Sequence, residues 1–314
     1  MHSIITVNKY LDFCKNNKRL NEKTLKAYRL DLHQFLQSAN SKNTTSIKEI
    51  IERYIAKLNT SSKPSTLKRK IAVLKSYFKY LEYEEIIAAS PFSKMKIKIQ
   101  EEHRLPKIFS MNILEKLLRA AYGRILTCDS VNKNHFTSLI TAAIVELLFA
   151  TGMRVSELCN LELKNVDLEN GNLLIFGKGA KERMLYIANK HVQEIMRKYL
   201  DKRLKVENET KYVFINRLGN RLSEQSVRNI IASIAQQAGI QQHITPHMFR
   251  HTLATYLLDG GVDCRQIQKI LGHSSIKITE RYTSVSLEMQ KAALIQKHPR
   301  NKLELGTGFI TRKQ

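Results

Sequence analysis

Apolar residues recur along this chain with two different periods, and the change of period divides it. Leu25, Tyr28, Leu32, Phe35 and Leu36 return at helical spacing behind Asn21, a residue suited to capping a helix N-terminus. Ile47, Ile50, Ile51, Tyr54, Ile55 and Leu58 repeat the pattern. After the SSKPS break, Leu67, Ile71, Leu74, Phe78 and Leu81 make a third stripe. Residues 1–92 therefore read as a small helical domain. Between Ser90 and Ser110 the periodicity lapses, lysines alternate, and Pro91 and Pro106 interrupt; residues 93–109 read as an interdomain linker.

A helical pattern resumes at Met111–Ala121. Tyr122–Phe136 is polar and aperiodic and reads as a surface loop, with a partner-contacting insertion as the alternative. Ile140–Ala150 is nearly continuously apolar, as in a fully buried helix, and stops at Gly152. Asn172–Phe176 and Met184–Ile187 are short β-rich runs around GKGAKER, a hairpin signal, and Val213–Ile215 adds a further short strand. Helices return from Ser223. The fold class is mainly α with a small β-hairpin or sheet, with a second domain over 110–300 and a tail over 301–314.

Charge sharpens this picture. The 314 residues suffice for two cores, but a net charge of +24 repels itself unless a polyanion is the partner. DNA is the commonest such partner; charge alone leaves RNA open. Lys68, Arg69, Lys75 and Lys79 flank the third apolar stripe. Each alone reads as a solvated face, and as a group they suit phosphates, which position a protein without reading sequence. The four cysteines show no CxxC spacing, as expected of free thiols in a reducing cytosol. The first ten residues lack a signal-peptide core, and no apolar run reaches the ~18 residues of a membrane span; a soluble, cytoplasmic protein is expected.

The candidate chemistry is concentrated between Thr245 and Thr283. Thr245-Pro246 starts a helix on which His247 and Arg250, three apart, share a face. His247 and His251 have zinc spacing, but Met248 stands where a metalloprotease needs glutamate, so no metal is expected. His273 follows Gly272, which ends a helix, and Tyr282 comes nine residues later in ITERYT. Far upstream, Arg154 and Glu157 lie in ATGMRVSEL, and Lys178, Lys181 and Arg183 in GKGAKER. Two arginines can hold both non-bridging oxygens of one phosphate. A tyrosine beside them becomes a usable nucleophile only with a base or a cationic surrounding, because a phenol titrates near ~10. Tyr256, on the apolar side of the His247 helix, is expected in the core.

These motifs, spread from Leu25 to about Thr283, resemble the tyrosine site-specific recombinases, the phage-integrase and Xer-like family. The resemblance implies a SAM-like core-binding domain and a catalytic domain that clamp double-stranded DNA. Arg154, Lys178, His247, Arg250, His273 and Tyr282 would be the catalytic set, Lys178 protonating the leaving 5′-oxygen, with Lys181 as the competing lysine. Glu157 would orient the basic side chains, a solvated carboxylate being the other reading; Lys181 and Arg183 would add DNA contacts and lower the pKa of Lys178. Such enzymes cut through a 3′-phosphotyrosine and a Holliday junction without cofactor, metal or ATP. They act as a homotetramer on two synapsed recombination sites, alone or with a related recombinase or accessory factor, and Ser286–Lys297 could be the helix that docks on a neighbour. Topoisomerase-like relaxation and an architectural DNA-binding role are the alternatives; the intact residue set argues against the second. The two-domain length favours a compact Xer-like enzyme. The polar stretch Asn132–Asn134 and the tail Gly306–Gln314 tilt the expectation toward a mobile element.

Overall fold

The computed structural model describes residues 2–39, 46–97, 99, 106–126, 133–177, 182–206 and 209–272. The chain forms two compact units, Met1–His103 and Arg104–Gln314.

The first unit holds helices α1 (His2–Asn16), α2 (Glu22–Ala39), α3 (Ile47–Ser61) and α4 (Pro64–Tyr83). The expected stripes of α2, α3 and α4 point inward: Leu25, Leu32, Phe35, Ile51, Tyr54, Leu58, Leu67, Ile71, Leu74, Phe78 and Leu81 are all buried. Asn21 caps α2, its Oδ1 accepting from the Thr24 N–H at 2.8 Å. Helix α1 is an addition to the sequence reading. Val7, Tyr10, Leu11 and Cys14 form its buried face, and Tyr10 meets Tyr77 edge-on at 5.3 Å. On α4 the opposite face carries Lys68, Arg69, Lys75 and Lys79, all exposed. Arg69 pairs with the buried carboxylate of Asp31, and Lys75 lies 6.0 Å over the Phe92 ring. Met95, Ile97 and Ile99, placed in the linker by their lack of periodicity, pack against this core. The division after His103 falls inside the expected linker.

The second unit is built around α6 (Lys133–Thr151), preceded by α5 (Met111–Leu126). Ala142, Ala143, Ile144, Val145, Leu147 and Leu148 have no exposed surface, so this stretch of the helix packs against protein on nearly every side, with Glu146 its one charged residue. The surface loop expected over 122–136 is largely helix instead. Tertiary partners hold both ends of this stretch: Tyr122 donates to Glu146 Oε1 at 2.7 Å, Arg124 to Ser233 Oγ at 3.0 Å, and the Phe136 ring tilts against Tyr199 at 5.5 Å. Only 127–132 within it lie outside the described residues. A short α7 (Val155–Cys159) leads to an antiparallel sheet of β1 (Val166–Asp167), β2 (Asn172–Phe176) and β3 (Glu182–Tyr186), in the order β1-β2-β3. The hairpin expectation holds, with Ile175 opposite Arg183 and Phe176 opposite Glu182.

Val213–Ile215 forms no strand. Isolated bridges pair Tyr212, just before it, with Glu162 and Ile215, its last residue, with Arg221, and its apolar residues are buried without joining a ladder. Helices α8 (Lys190–Arg203), α9 (Glu224–Gln237), α10 (Pro246–Asp259) and α11 (Cys264–Leu271) complete the described unit. Tyr256 is also corrected: it is 37 % exposed, and its hydroxyl accepts from the Met111 N–H at 3.2 Å. Among the described residues no helix is long and apolar enough to cross a membrane.

Candidate active site

The ATGMR turn has a local cause. Thr151 Oγ1 donates back to the Leu147 carbonyl at 2.6 Å, and Gly152 leaves helix α6 in the left-handed region, at φ +60°. A Cβ on Gly152 would stand 2.6 Å from Leu271 Cδ2, so this turn packs directly on the end of α11. The chain then swings Arg154 into extended backbone as the residue preceding α7. Glu157 reaches back to accept from the Arg154 N–H at 2.8 Å, the carboxylate half of a capping box. The same carboxylate accepts from Arg154 Nη1 at 2.8 Å and from Arg183 Nη1 and Nη2 at 2.8 and 2.7 Å.

Of the two readings of Glu157, the structure selects the paired one: the carboxylate is buried, not solvated. Burial alone would raise its pKa. Hydrogen bonds from Arg183 and Arg154 outweigh that and hold it below the usual carboxylate range. Its folded pKa is depressed, so its contribution to stability is complete above the unfolded carboxylate pKa and is lost as pH falls through the folded one.

Arg250, on α10, is buried and does something its sequence position does not announce. Nη1 donates to the Gly152 carbonyl at 2.8 Å and Nη2 to the Leu271 carbonyl at 2.6 Å. One guanidinium thus ties together the turn before Arg154 and the end of the helix before His273. Arg154 makes a parallel link, Nη2 donating to the Gly272 carbonyl at 3.1 Å, while its side chain stays 34 % exposed. Gly272 is the left-handed C-terminal residue of α11 expected from LGHSS, at φ +64°. A Cβ there would lie 2.8 Å from Arg183 Cδ. Gly272→Ala is therefore expected to lower the unfolding free energy by about 1–3 kcal/mol. Chemical denaturation checks this, and an unchanged midpoint would remove the close approach as a constraint.

His247 lies in the first turn of α10, after Thr245 and Pro246. Thr245 has the extended backbone of a cap, but its side chain makes no cap bond. The imidazole is exposed at the surface, yet its pKa is pulled below the ordinary histidine value, first by partial desolvation, then by the positive charges of Arg250, Arg228 and Arg154. This shift favours the neutral imidazole. Because the unfolded state takes up this proton first, the group costs stability as pH falls below the ordinary value. An NMR titration is expected to place His247 below free histidine and to show it rising in Arg228→Ala; a wild-type value at or above free histidine would contradict the geometry. Arg228, on α9, carries no motif that would have singled it out.

Of the expected site residues, the described structure thus gathers Arg154, Glu157, Arg183, His247 and Arg250. Lys178, Lys181, His273 and Tyr282 lie outside the described residues, as does Ser286–Lys297. Lys68, Arg69, Lys75 and Lys79 belong to the other unit. Arg183, expected to face DNA, has a side chain only 14 % exposed and committed to Glu157. Among the described residues no group of three or more His, Cys, Asp or Glu side chains is placed to hold a metal ion.

Comparison with known proteins identifies the family. Residues 120–289 match the phage integrase family, and residues 7–85 match the phage integrase N-terminal SAM-like domain. A tyrosine recombinase of Agathobacter rectalis is 45% identical over 295 residues, covering 94% of this chain and 96% of that protein. Tyrosine recombinase XerD of Listeria innocua serovar 6a is 33% identical, over 94% of this chain and 98% of its own. In fold, the chain is similar to XerH site-specific recombinase bound to its palindromic difH substrate, with a TM-score of 0.74 at 22% identity, covering 92% of this chain and 84% of that one. It is also similar to a lambda integrase tetramer bound to a Holliday junction, with a TM-score of 0.66 at 17% identity, over 88% and 76% of the two chains. Two family domains, relatives matched along nearly their whole length and a basic site assembled from the family's motifs lead to one conclusion: the chain belongs to the phage integrase family and is a site-specific tyrosine recombinase, which cleaves and rejoins DNA.

Proposed function

We propose that Arg154, Lys178, His247, Arg250, His273 and Tyr282 act on one DNA phosphate. The observation that carries this reading is the Arg250 bridge, which holds the Gly152 carbonyl and the Leu271 carbonyl on one guanidinium. It joins the chain segments that present Arg154, His247 and, one residue beyond Gly272, His273. Tyr282 Oη attacks phosphorus, forming the 3′-phosphotyrosine bond as the P–O5′ bond breaks. Neutral His247 accepts the phenol proton, and the departing 5′-oxygen takes a proton from Lys178. Arg154 and Arg250 counter the charge that grows on the non-bridging oxygens. The new bond keeps the phosphodiester's energy, so a second 5′-hydroxyl can reseal the strand.

Four protomers would exchange strands between two duplex sites through a Holliday junction, the substrate on which the lambda integrase tetramer was crystallised. The exposed Lys68, Lys75 and Lys79 of α4 would hold phosphates, and the two domains expected over 1–92 and 110–300, with the linker between them, would clamp the duplex. Arg69 joins them with its charge shared by Asp31. A cytoplasmic enzyme acting for a mobile element, alone or with a second recombinase, is the biological setting we favour. Covalent trapping on a nicked suicide substrate carrying a candidate site tests the reaction. A denaturation-resistant adduct is expected; a site bound tightly in a synapsed complex that still yields none would remove the cleavage reading.

A further inference from the structure

We infer that Arg183 is a positioning residue for strand cleavage: its ion pair with Glu157 ties strand β3, which follows the candidate acid lysines in the chain, to the Arg154 motif. The inference rests on the reaction proposed above and deepens it. Arg183 grips both oxygens of Glu157, at 2.8 and 2.7 Å, and the other contacts to that carboxylate come from the Arg154 backbone and side chain. On its other side the Arg183 chain lies against Gly272, where a Cβ would approach its Cδ to 2.8 Å, its Nε to 2.9 Å and its Cζ to 3.1 Å. One side chain thus touches the Arg154 segment and the residue preceding His273. It stands on β3 directly opposite Ile175, five residues from Lys178 along the chain.

Net stability does not by itself call for an ion pair at this position. A buried ion pair roughly breaks even against an apolar replacement, and Arg183 Nε is buried without a hydrogen-bond partner, which adds a cost. What the pair supplies is geometry. A planar fork seated on a carboxylate allows little sliding or rotation, so the register of β3 against α7 is held. A general acid displaced by about 1 Å can lose on the order of 100-fold in rate.

The test separates proton delivery from folding. Cleavage of an ordinary suicide substrate is compared with cleavage of the same DNA carrying a 5′-bridging sulfur. There the P–S bond breaks and a thiolate leaves without a proton, because thiols titrate near ~8.5. Arg183→Gln is expected to cleave the oxygen substrate about 100-fold more slowly than wild type. On the sulfur substrate most of that loss should be recovered, with DNA affinity retained. A lower folded fraction would slow both substrates equally, so an equal loss on both overturns the inference.

Lys178→Ala and Lys181→Ala run beside it, and the variant rescued by sulfur identifies the acid independently of Arg183. Rescue of neither would take the acid out of this turn, a failure of the underlying reading that brings the inference down with it. Should Arg183→Gln fail to fold, Arg183→Lys carries the same comparison, keeping a cation toward Glu157 but losing the two-point grip.

Discussion

Tyr282→Phe is expected to remove the covalent protein–DNA adduct while leaving DNA affinity unchanged. The substitution deletes one oxygen and preserves the ring, so phosphate contacts made by the lysines and arginines persist. Losing a nucleophile outright costs on the order of 10⁴-fold or more, far beyond the effect of a misplaced neighbour. Tyr256→Phe is the informative control, because Tyr256 sits on the same helix as His247 and Arg250 and is 37 % exposed. Its hydroxyl serves as an acceptor for the Met111 N–H, and the variant should still form adduct. An adduct that survives Tyr282→Phe, or one lost in Tyr256→Phe with the fold intact, would reassign the nucleophile.

The second large effect is expected at Arg250, where two roles can be told apart. Arg250→Lys keeps a positive charge but cannot span the Gly152 and Leu271 carbonyls, so at least one buried acceptor loses its partner. That costs about 1–3 kcal/mol of stability. If the guanidinium also stabilises the transition state, cleavage should fall by about 10²–10³-fold beyond what the unfolded fraction explains. Single-turnover cleavage, measured with thermal unfolding and binding on the same preparation, separates the two. A cleavage loss that only tracks the unfolded fraction would make Arg250 a structural tie and nothing more.

Much of this architecture was legible from residue order because it rests on local physics. The stripes of α2, α3 and α4, the cap at Asn21, the hairpin around GKGAKER and the left-handed Gly272 each depend on neighbours within a few residues. The misreadings share a different cause. Tyr122–Phe136 looked like a loop because its polar groups lack local partners, yet Tyr122 finds Glu146 and Arg124 finds Ser233 across the fold. Helix α1 is not legible from order alone, because what sets Val7, Tyr10, Leu11 and Cys14 apart from its other apolar residues is burial, and packing against α2 and α4 supplies that. The helical side on which Tyr256 falls suggests the core, whereas its hydroxyl is used at the surface by the start of α5.

The site divides along the same line. The candidates for its chemistry were named by sequence alone: arginine, lysine, histidine and tyrosine at set spacings. What only tertiary structure decided is which cations serve the scaffold. Arg183 looks like a DNA contact in the string GKGAKER, and Arg250 looks like a plain phosphate ligand in its helix. Folding brings a buried carboxylate from 26 residues upstream of the first, and carbonyls 98 and 21 residues from the second, within hydrogen-bond reach. Charge type is written in the residue, but the partner that employs it is supplied by chain segments distant in sequence, and burial then makes leaving either one unpaired costly.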